Sequence, residues 1–291
     1  VWAMAMSGGA AVVVRRGAPA RWWLPAKAVA VASLPFAASA VVRGAAFGRV
    51  TPLATLAKPS DLSHGLAYAT AATVVVLTPL LLLAPVGLWR AAPGARVLAV
   101  AAIAHVLVVV AVGGDWMPYA RLLVPIAPGL ALAHVELAKV GPLAATLRAI
   151  LALALGAALA ITGAPAGRHV HEDRKALIAA ARPLLADARV VAGLDVGWIG
   201  AATSAPIVDL AGLTDPAIAS LRGGHTSKAV DLGMLLDRGV DAVVVYSAPR
   251  VVEARIVGAA LFDERFTAVA ELPLGSQGAS YTVFRRRSGG R

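Results

Sequence analysis

The sequence has 291 residues, of which 59% are hydrophobic and only 15% are charged, and its formal net charge at pH 7 is +11. Soluble domains carry about 25% charged residues, so this composition indicates a membrane protein over part of its length. The chain contains no cysteine, which excludes a disulfide framework and a thiolate metal site. The basic residues flank apolar runs, which favours contact with anionic lipid over nucleic acid.

The charges divide the chain into two parts. Residues 1–167 hold twelve Lys and Arg but three acidic residues, whereas residues 168–291 hold fifteen bases and thirteen acids. The predicted fold class is therefore a membrane all-α helical bundle (residues 1–167) followed by a small soluble α/β domain (residues 168–291). Because the chain starts within an apolar run, we expect it to be the C-terminal portion of a longer protein.

About six membrane spans are predicted in the first part, the first of them truncated. Their bounds are residues 1–14, 22–42, 65–88, 97–112, 122–137 and 143–162. The short loops that carry Arg15, Arg90 and Lys139 mark the cytoplasmic side by the positive-inside rule. The loop 43–64, the loop at Asp115 and the C-terminal domain then face the extracytoplasmic side.

Strands alternate with helices in the second part, which favours a small mixed or parallel sheet with helical cover. Strands are predicted at residues 189–194, 207–210, 241–246, 266–272 and 280–284. Helices are predicted at residues 172–181, where Pro183 breaks or kinks the helix, from Asp215–Pro216, from Ser227 to 238, and at 251–261. The β-branched runs at Val190–Val191 and Val243–Val245 are expected in the core.

The loop between the fourth and fifth predicted spans carries Asp115, Trp116, Tyr119 and Arg121. Charges within hydrocarbon cost several kcal/mol, so these side chains are expected at an interface or in a cavity. As a site, Asp115 accepts a proton or orients a hydroxyl while Arg121 binds a phosphate through two hydrogen bonds. The alternative is an interfacial ion pair that anchors the turn.

The loop 43–64 faces the same side and carries Arg49, Lys58 and His64, which can bind a lipid phosphate. A solvated interfacial loop is the alternative for these residues. His105 and His134 lie within predicted spans, where a hydrogen bond between helices is favoured over a proton relay.

Three patterns in the second part have weaker chemical meaning. The glycines at 193, 197 and 200 predict a tight strand-to-helix turn rather than a dinucleotide site. The residues 169–173 predict a solvated helix start rather than a metal site. The segment Gly223–Lys228, which contains His225, is either an anion-binding nest or a helix cap.

Three motifs, in order along the chain, resemble polytopic GT-C glycosyltransferases, in particular the actinobacterial terminal arabinofuranosyltransferases and related uncharacterised membrane transferases. The segment Phe47–Tyr68 is similar to their yGxxxPNxxxAK…GLxY stretch, although Leu53 stands in place of Asn. The segment Gly113–Pro125 is similar to GGDFMxxxRxLLP, with Trp116 in place of Phe. The segment Asp209–His225 is similar to DLxGLtDpxIA…GH.

The resemblance implies an inverting sugar transfer from a polyprenyl-phosphate donor to an extracytoplasmic glycan acceptor at the bacterial plasma membrane. The resemblance also implies that the usual catalytic acid of the family lies in the first outer loop, which we expect to precede this sequence. Asp115 is the catalytic candidate. The substrate-binding candidates are Lys58, Arg121, Arg49, His64, Tyr119 and His225.

The partners expected are the donor lipid, the glycan acceptor and membrane lipid, without nucleic acid. No cofactor is identified, and a divalent metal ion stays open. Two other functions are considered. A transporter would place ionisable groups inside its spans, and a membrane-anchored binding protein would need one span.

Overall fold

The computed structural model describes residues 23–58, 61–72, 93–115, 121–127, 131, 135, 138–139, 141–275 and 278–287. The contacts divide the chain into two compact units. The helical unit comprises Val1–Val50 and Ser60–Ile161, and the α/β unit comprises Thr51–Pro59 and Thr162–Arg291.

Helices form the described part of the helical unit. They are α1 (Trp23–Phe47), α3 (Leu62–Ala72), α4 (Pro93–Ala111), a 3-10 helix (Arg121–Ile126) and the first part of α5 (Pro142–Leu185); the short helix α2 (Leu53–Ala57) belongs to the α/β unit. A small apolar cluster joins α3, α4 and the 3-10 helix, and includes Ala72, Ala102, Val109, Leu123 and Ile126.

The predicted all-α membrane bundle is wrong. Among the described residues, one helix, α5, is long and apolar enough to cross a membrane, and Ser33–Phe47 and Ala101–Ala111 are shorter apolar helices. The predicted span at 122–137 begins instead as a 3-10 helix that contains Pro125. Composition identifies apolar runs, but it does not establish that each run continues as one helix, and proline removes a helical N–H. The first predicted span and much of the third lie outside the described residues.

A five-stranded mixed sheet organises the α/β unit, in the order β2-β1-β3-β5-β4. The strands are β1 (Val191–Gly193), β2 (Ile207–Asp209), β3 (Ala242–Tyr246), β4 (Phe266–Leu274) and β5 (Ala279–Arg286). The first three are parallel to one another, and β5 is antiparallel to both β3 and β4. Parallel strands are buried on both faces, which explains their runs of Val and Ala.

Helices cover both faces of this sheet. The end of α5 and the helix α6 (Val196–Ala202) pack on one face, where Leu177, Leu185 and Trp198 are buried. The other face is covered by α7 (Pro216–Ala219), α8 (Leu232–Asp237), α9 (Val251–Val257) and α10 (Phe262–Arg265). The described part of this unit is therefore an α/β/α layered structure.

The strand prediction at residues 241–246 is confirmed by β3, in which Val243, Val244 and Val245 are buried. The prediction of a helix from Asp215 is also confirmed, since its carboxylate accepts from the amides of Ala217 and Ile218. Ser227 does not cap a helix, because α8 begins later and Asp231 is its N-cap.

Two other helix predictions have the wrong bounds. The helix predicted at 251–261 ends at Val257, and α10 follows as a separate turn. The helix predicted at 172–181 is part of α5, which contains both Pro165 and Pro183 and ends at Leu185.

Candidate functional site

Two glycines shape the turn that carries Asp115. After α4 ends, Gly113 and Gly114 adopt φ angles of 86° and 69°, which favour glycine. A Cβ atom on Gly114 would lie 2.7 Å from Cβ of Tyr68, so the turn also needs a residue without a side chain. This close contact places Asp115 beside α3.

Asp115 and Arg121 form a bidentate ion pair. Arg121 donates through Nε to Oδ2 of Asp115 and through Nη2 to Oδ1, the second at 3.2 Å. Asp115 is 7% exposed, whereas the side chain of Arg121 is 51% exposed. The acid is therefore buried beneath an arginine that reaches solvent, and two bonds fix the plane of the guanidinium.

Polar groups from α3 and α4 surround this pair. His64 Nε2 lies 3.3 Å from the Asp115 carbonyl oxygen, and the Leu122 amide donates to the Tyr68 hydroxyl at 3.3 Å. His105 Nε2 lies 2.7 Å from the Leu122 carbonyl oxygen. The hydrogen bond between elements that was predicted for His105 is thus present, and these contacts fix both ends of the segment between Asp115 and Arg121.

The structure separates the other predicted site residues. Asp115, Arg121 and His64 come together in the helical unit, and Arg49 lies exposed after α1 in the same unit. Lys58 and His225 belong to the α/β unit. Tyr119 and His134 lie outside the described residues.

A second polar cluster lies in the α/β unit, at the carboxyl ends of β1 and β3. Asp195 follows β1 by two residues and Arg250 follows β3 by four. Arg250 donates through Nη1 to Oδ2 of Asp195 at 2.9 Å, and the Tyr281 hydroxyl donates to the same oxygen at 2.7 Å. Arg174 donates to the Tyr281 oxygen at 3.3 Å.

Glu253 is the buried acid of this cluster and binds Arg250. Its side chain is fully buried and accepts from Arg250 Nε at 2.6 Å, Arg250 Nη2 at 2.7 Å and the Arg250 amide at 2.8 Å. The Tyr246 amide donates to it at 3.3 Å. The guanidinium of Arg250 is thus held between two carboxylates, and its side chain remains 24% exposed.

The strand order places the cluster around Arg250 at a switch point of the sheet. The chain leaves β1 for β2 on one side and then crosses to β3 on the other side of β1. In open α/β sheets, ligands bind at such a switch point, outside the carboxyl ends of the strands. Asp195 and Arg250 lie at these ends.

The loop 223–228 lies beside the cluster. The Val252 amide donates to the Thr226 carbonyl at 3.0 Å, which joins the loop to α9. Lys228 is buried and its ammonium donates to the carbonyls of Ala219, Leu221 and Leu56 at 2.8, 3.0 and 3.2 Å. Within the loop, the Gly224 amide donates to the Ser227 hydroxyl, so the predicted nest is partly closed by its own side chain.

Electrostatics distinguish the groups of this cluster. Burial lowers the pKa of His225, and the positive charges of Lys58, Arg250 and Lys228 lower it further, which favours the neutral imidazole. Burial opposes the charge of Arg250, but Glu253 and Asp195 outweigh burial and raise its pKa. Burial raises the pKa of Tyr281, which keeps its hydroxyl as a donor.

Sequence reasoning missed Asp195, Arg250, Glu253 and Tyr281. The available signal was that Asp195 and Arg250 each follow a buried strand of a parallel pair, because such strand ends meet at one edge of the sheet. Their separation of 55 residues hid the contact.

The described residues contain no group of three or more His, Asp or Glu side chains that could hold a metal ion. The residues 169–173 lie inside α5 rather than at a helix start. Gly193 ends β1, where an added Cβ would lie 2.4 Å from Ile199 Cδ1, so this glycine serves packing of the strand-to-helix turn.

Comparison with protein families matches residues 168–284 to a domain of unknown function, DUF8728. Neither the curated proteins nor the solved structures include a match to this chain. The matched range contains β1–β4 and most of β5. It also contains the polar residues of the cluster around Arg250, whereas Leu56 and Lys58 lie outside it. The chain is therefore similar to this family over its α/β part.

Proposed function

We propose that this chain is part of a membrane-associated glycosyltransferase that moves a sugar from a polyprenyl-phosphate donor to an extracytoplasmic glycan. The observation that carries the proposal is the bidentate pair of Asp115 and Arg121, which occurs within the segment that resembles the GGDFMxxxRxLLP motif. A solvent-reaching arginine held in a fixed plane suits recognition of a phosphate.

Exposed apolar side chains support an association with lipid. In α5, between residues 143 and 161, six of the eight leucine and isoleucine residues are more than half exposed: Leu143, Leu147, Ile150, Leu151, Leu153 and Ile161. The most apolar window of α5 is only 11% buried, unlike the core helix of a soluble domain. Such exposed surfaces mark contact with a membrane or a partner.

The proposed reaction forms a bond from the acceptor hydroxyl oxygen to the anomeric carbon while the bond from that carbon to the donor phosphate oxygen breaks. The hydroxyl proton passes to a carboxylate, and polyprenyl phosphate leaves with the bonding electrons. Arg121 stabilises the negative charge that develops on the phosphate. Asp115 holds Arg121 in place, and it can serve as the base if an acceptor hydroxyl displaces one of the two bonds from Arg121.

Substitution at this pair tests the proposal. Arg121→Lys keeps the charge but removes the planar fork, and Asp115→Asn removes the acid; each should lower sugar transfer, Asp115→Asn by about 10²-fold or more. The assay measures transfer from a synthetic polyprenyl-phosphate sugar by the full-length protein in membranes.

Matched exposed positions provide the controls, with Arg168→Lys and Asp237→Asn expected to retain native turnover. Native turnover in Arg121→Lys and Asp115→Asn at equal abundance would instead favour a structural anchor. Movement of an unmodified solute across the membrane, without transfer, would favour the transporter.

A further inference from the structure

Three chain segments meet near the start of α9, which Arg250 directly precedes. Lys228 links the loop 223–228 to α2 through its bond to the Leu56 carbonyl, and the Val252 amide links the same loop to the start of α9. Lys58 follows α2 directly, and His225 lies within the loop. These bonds bring together the three chain segments that carry Lys58, His225 and Arg250.

The charges there are not fully balanced within the described structure. Glu253 is buried and its bonds go to Arg250 and to the Tyr246 amide, while Lys228 is buried with three carbonyl partners. Asp195 is the other acid of the cluster, and Arg174 adds a further cation through Tyr281. The cluster therefore has two carboxylates, on Asp195 and Glu253, and four cations, on Lys58, Arg174, Lys228 and Arg250.

We propose that this edge of the sheet binds a compact oxyanion, the phosphate or carboxylate group of a ligand, between Lys58, His225 and Arg250. Lys58 supplies a point charge and His225 a ring nitrogen that can take up a proton. Arg250 uses three of its five N–H groups on Asp195 and Glu253. Its position at a sheet switch point agrees with where such folds bind ligands.

The neighbouring groups suit a hydroxylated ligand. The bonds from Arg250 and Tyr281 both go to Oδ2 of Asp195, and the side chain of Asp195 caps no helix amide. Its Oδ1 atom can accept from a ligand hydroxyl while the oxyanion lies on the cations. A phosphorylated sugar and a uronic acid share this chemistry, and the inference does not depend on the proposed transfer reaction.

The test follows His225 by NMR in the full chain, in detergent micelles, with histidine labelled at Cε1 with ¹³C. The His225 resonance is assigned by its loss in His225→Gln. Inorganic phosphate, glucose 1-phosphate and glucuronate are titrated separately. At least one should move the resonance saturably, and its pKa should rise because a bound anion stabilises the imidazolium.

A matched pair of lysine substitutions decides whether the site is the one proposed. Lys58→Gln should weaken binding about tenfold, the usual effect of losing one charged contact. Lys175→Gln makes the same change of charge at an exposed position of α5 and should weaken binding less than twofold. Lys58 is preferred to Arg250 because removing Arg250 would leave Glu253 buried without its main partner.

Tighter binding of the two phosphates would identify the ligand group as a phosphate, and tighter binding of glucuronate would identify it as a carboxylate. Either result supports the proposal that the site binds an oxyanion. Absence of a saturable response to all three anions would overturn the proposal, as would equal weakening by Lys58→Gln and Lys175→Gln. Arg121→Lys should leave the response of His225 unchanged, so failure of the transfer proposal is separable from failure of this one.

Discussion

The two units solve the problem of placing charge in different ways. In the helical unit, one acid and one arginine pair at a glycine turn, and large apolar side chains remain exposed on the helices. In the α/β unit, apolar side chains fill two cores, and ionised groups form a network at the edge of the sheet. The stability of the single pair depends on the geometry of one turn. The stability of the network depends on contacts from several chain segments.

The largest expected effect comes from removing the buried acid of the network. Glu253→Ala leaves Arg250 without its main partner and the Tyr246 amide without an acceptor, so we expect a loss of about 3–5 kcal/mol of stability in the α/β unit. Hydrogen exchange of the β3 amides measures this loss.

Glu172→Ala, at an exposed position of α5, is the control and should change exchange little. Native protection of β3 in Glu253→Ala would show that the network does not stabilise the unit, and the contrast between pair and network would fail.

A smaller effect is expected at the turn of the helical unit. Gly114→Ala places a side chain at a φ of 69° and against Tyr68, which should cost about 1–2 kcal/mol locally. Faster exchange of the Gly113 amide and of the residue-114 amide, which donate to the carbonyls of Val110 and Val109, measures it.

Gly156→Ala provides a control of opposite sign, because an added Cβ there meets no atom within 4 Å and alanine favours the helix by about 0.5–1 kcal/mol. If both alanine variants stabilise their surroundings, the turn does not require glycine.

The smallest expected effect is a pH dependence of the α/β unit. Because the folded pKa of His225 is lowered below its unfolded value of 6.5, the unfolded chain binds more protons. His225 should therefore leave stability unaffected well above pH 6.5 and reduce it as pH falls from 6.5 through the folded pKa. Thermal unfolding of the native chain and His225→Gln across this range measures the difference in slope.

Lys58→Gln sharpens this measurement, since removing one of the charges that lower the pKa should reduce the slope. A His225→Gln variant with the native slope would contradict the assignment.

Sequence reasoning succeeded where short-range pattern determines structure. The run Val243–Val245 predicted a buried strand because β-branched residues suit a strand covered on both faces. The ion pair of Asp115 and Arg121 corresponds to the alternative that the sequence offered for this loop, an ion pair that anchors the turn, whereas their predicted roles toward a substrate stay predictions.

The same reasoning failed where the structure depends on contacts between distant residues or on whether a helix continues without interruption. Apolar composition around Pro125 indicated a membrane span, but the chain there forms a 3-10 helix. The bond between Asp195 and Arg250 depends on the order of strands in the sheet, which residue patterns alone do not specify.

The bond from Lys228 to the Leu56 carbonyl also has a consequence for biosynthesis. It joins residues 172 positions apart, so Leu56 is made long before its partner. At translation rates of about 5–20 residues per second, the wait is roughly 9–34 seconds. During that time the Leu56 carbonyl lacks Lys228 as its hydrogen-bond donor. The packing of α2 against the rest of the α/β unit should therefore be among the last steps in folding of the newly made protein.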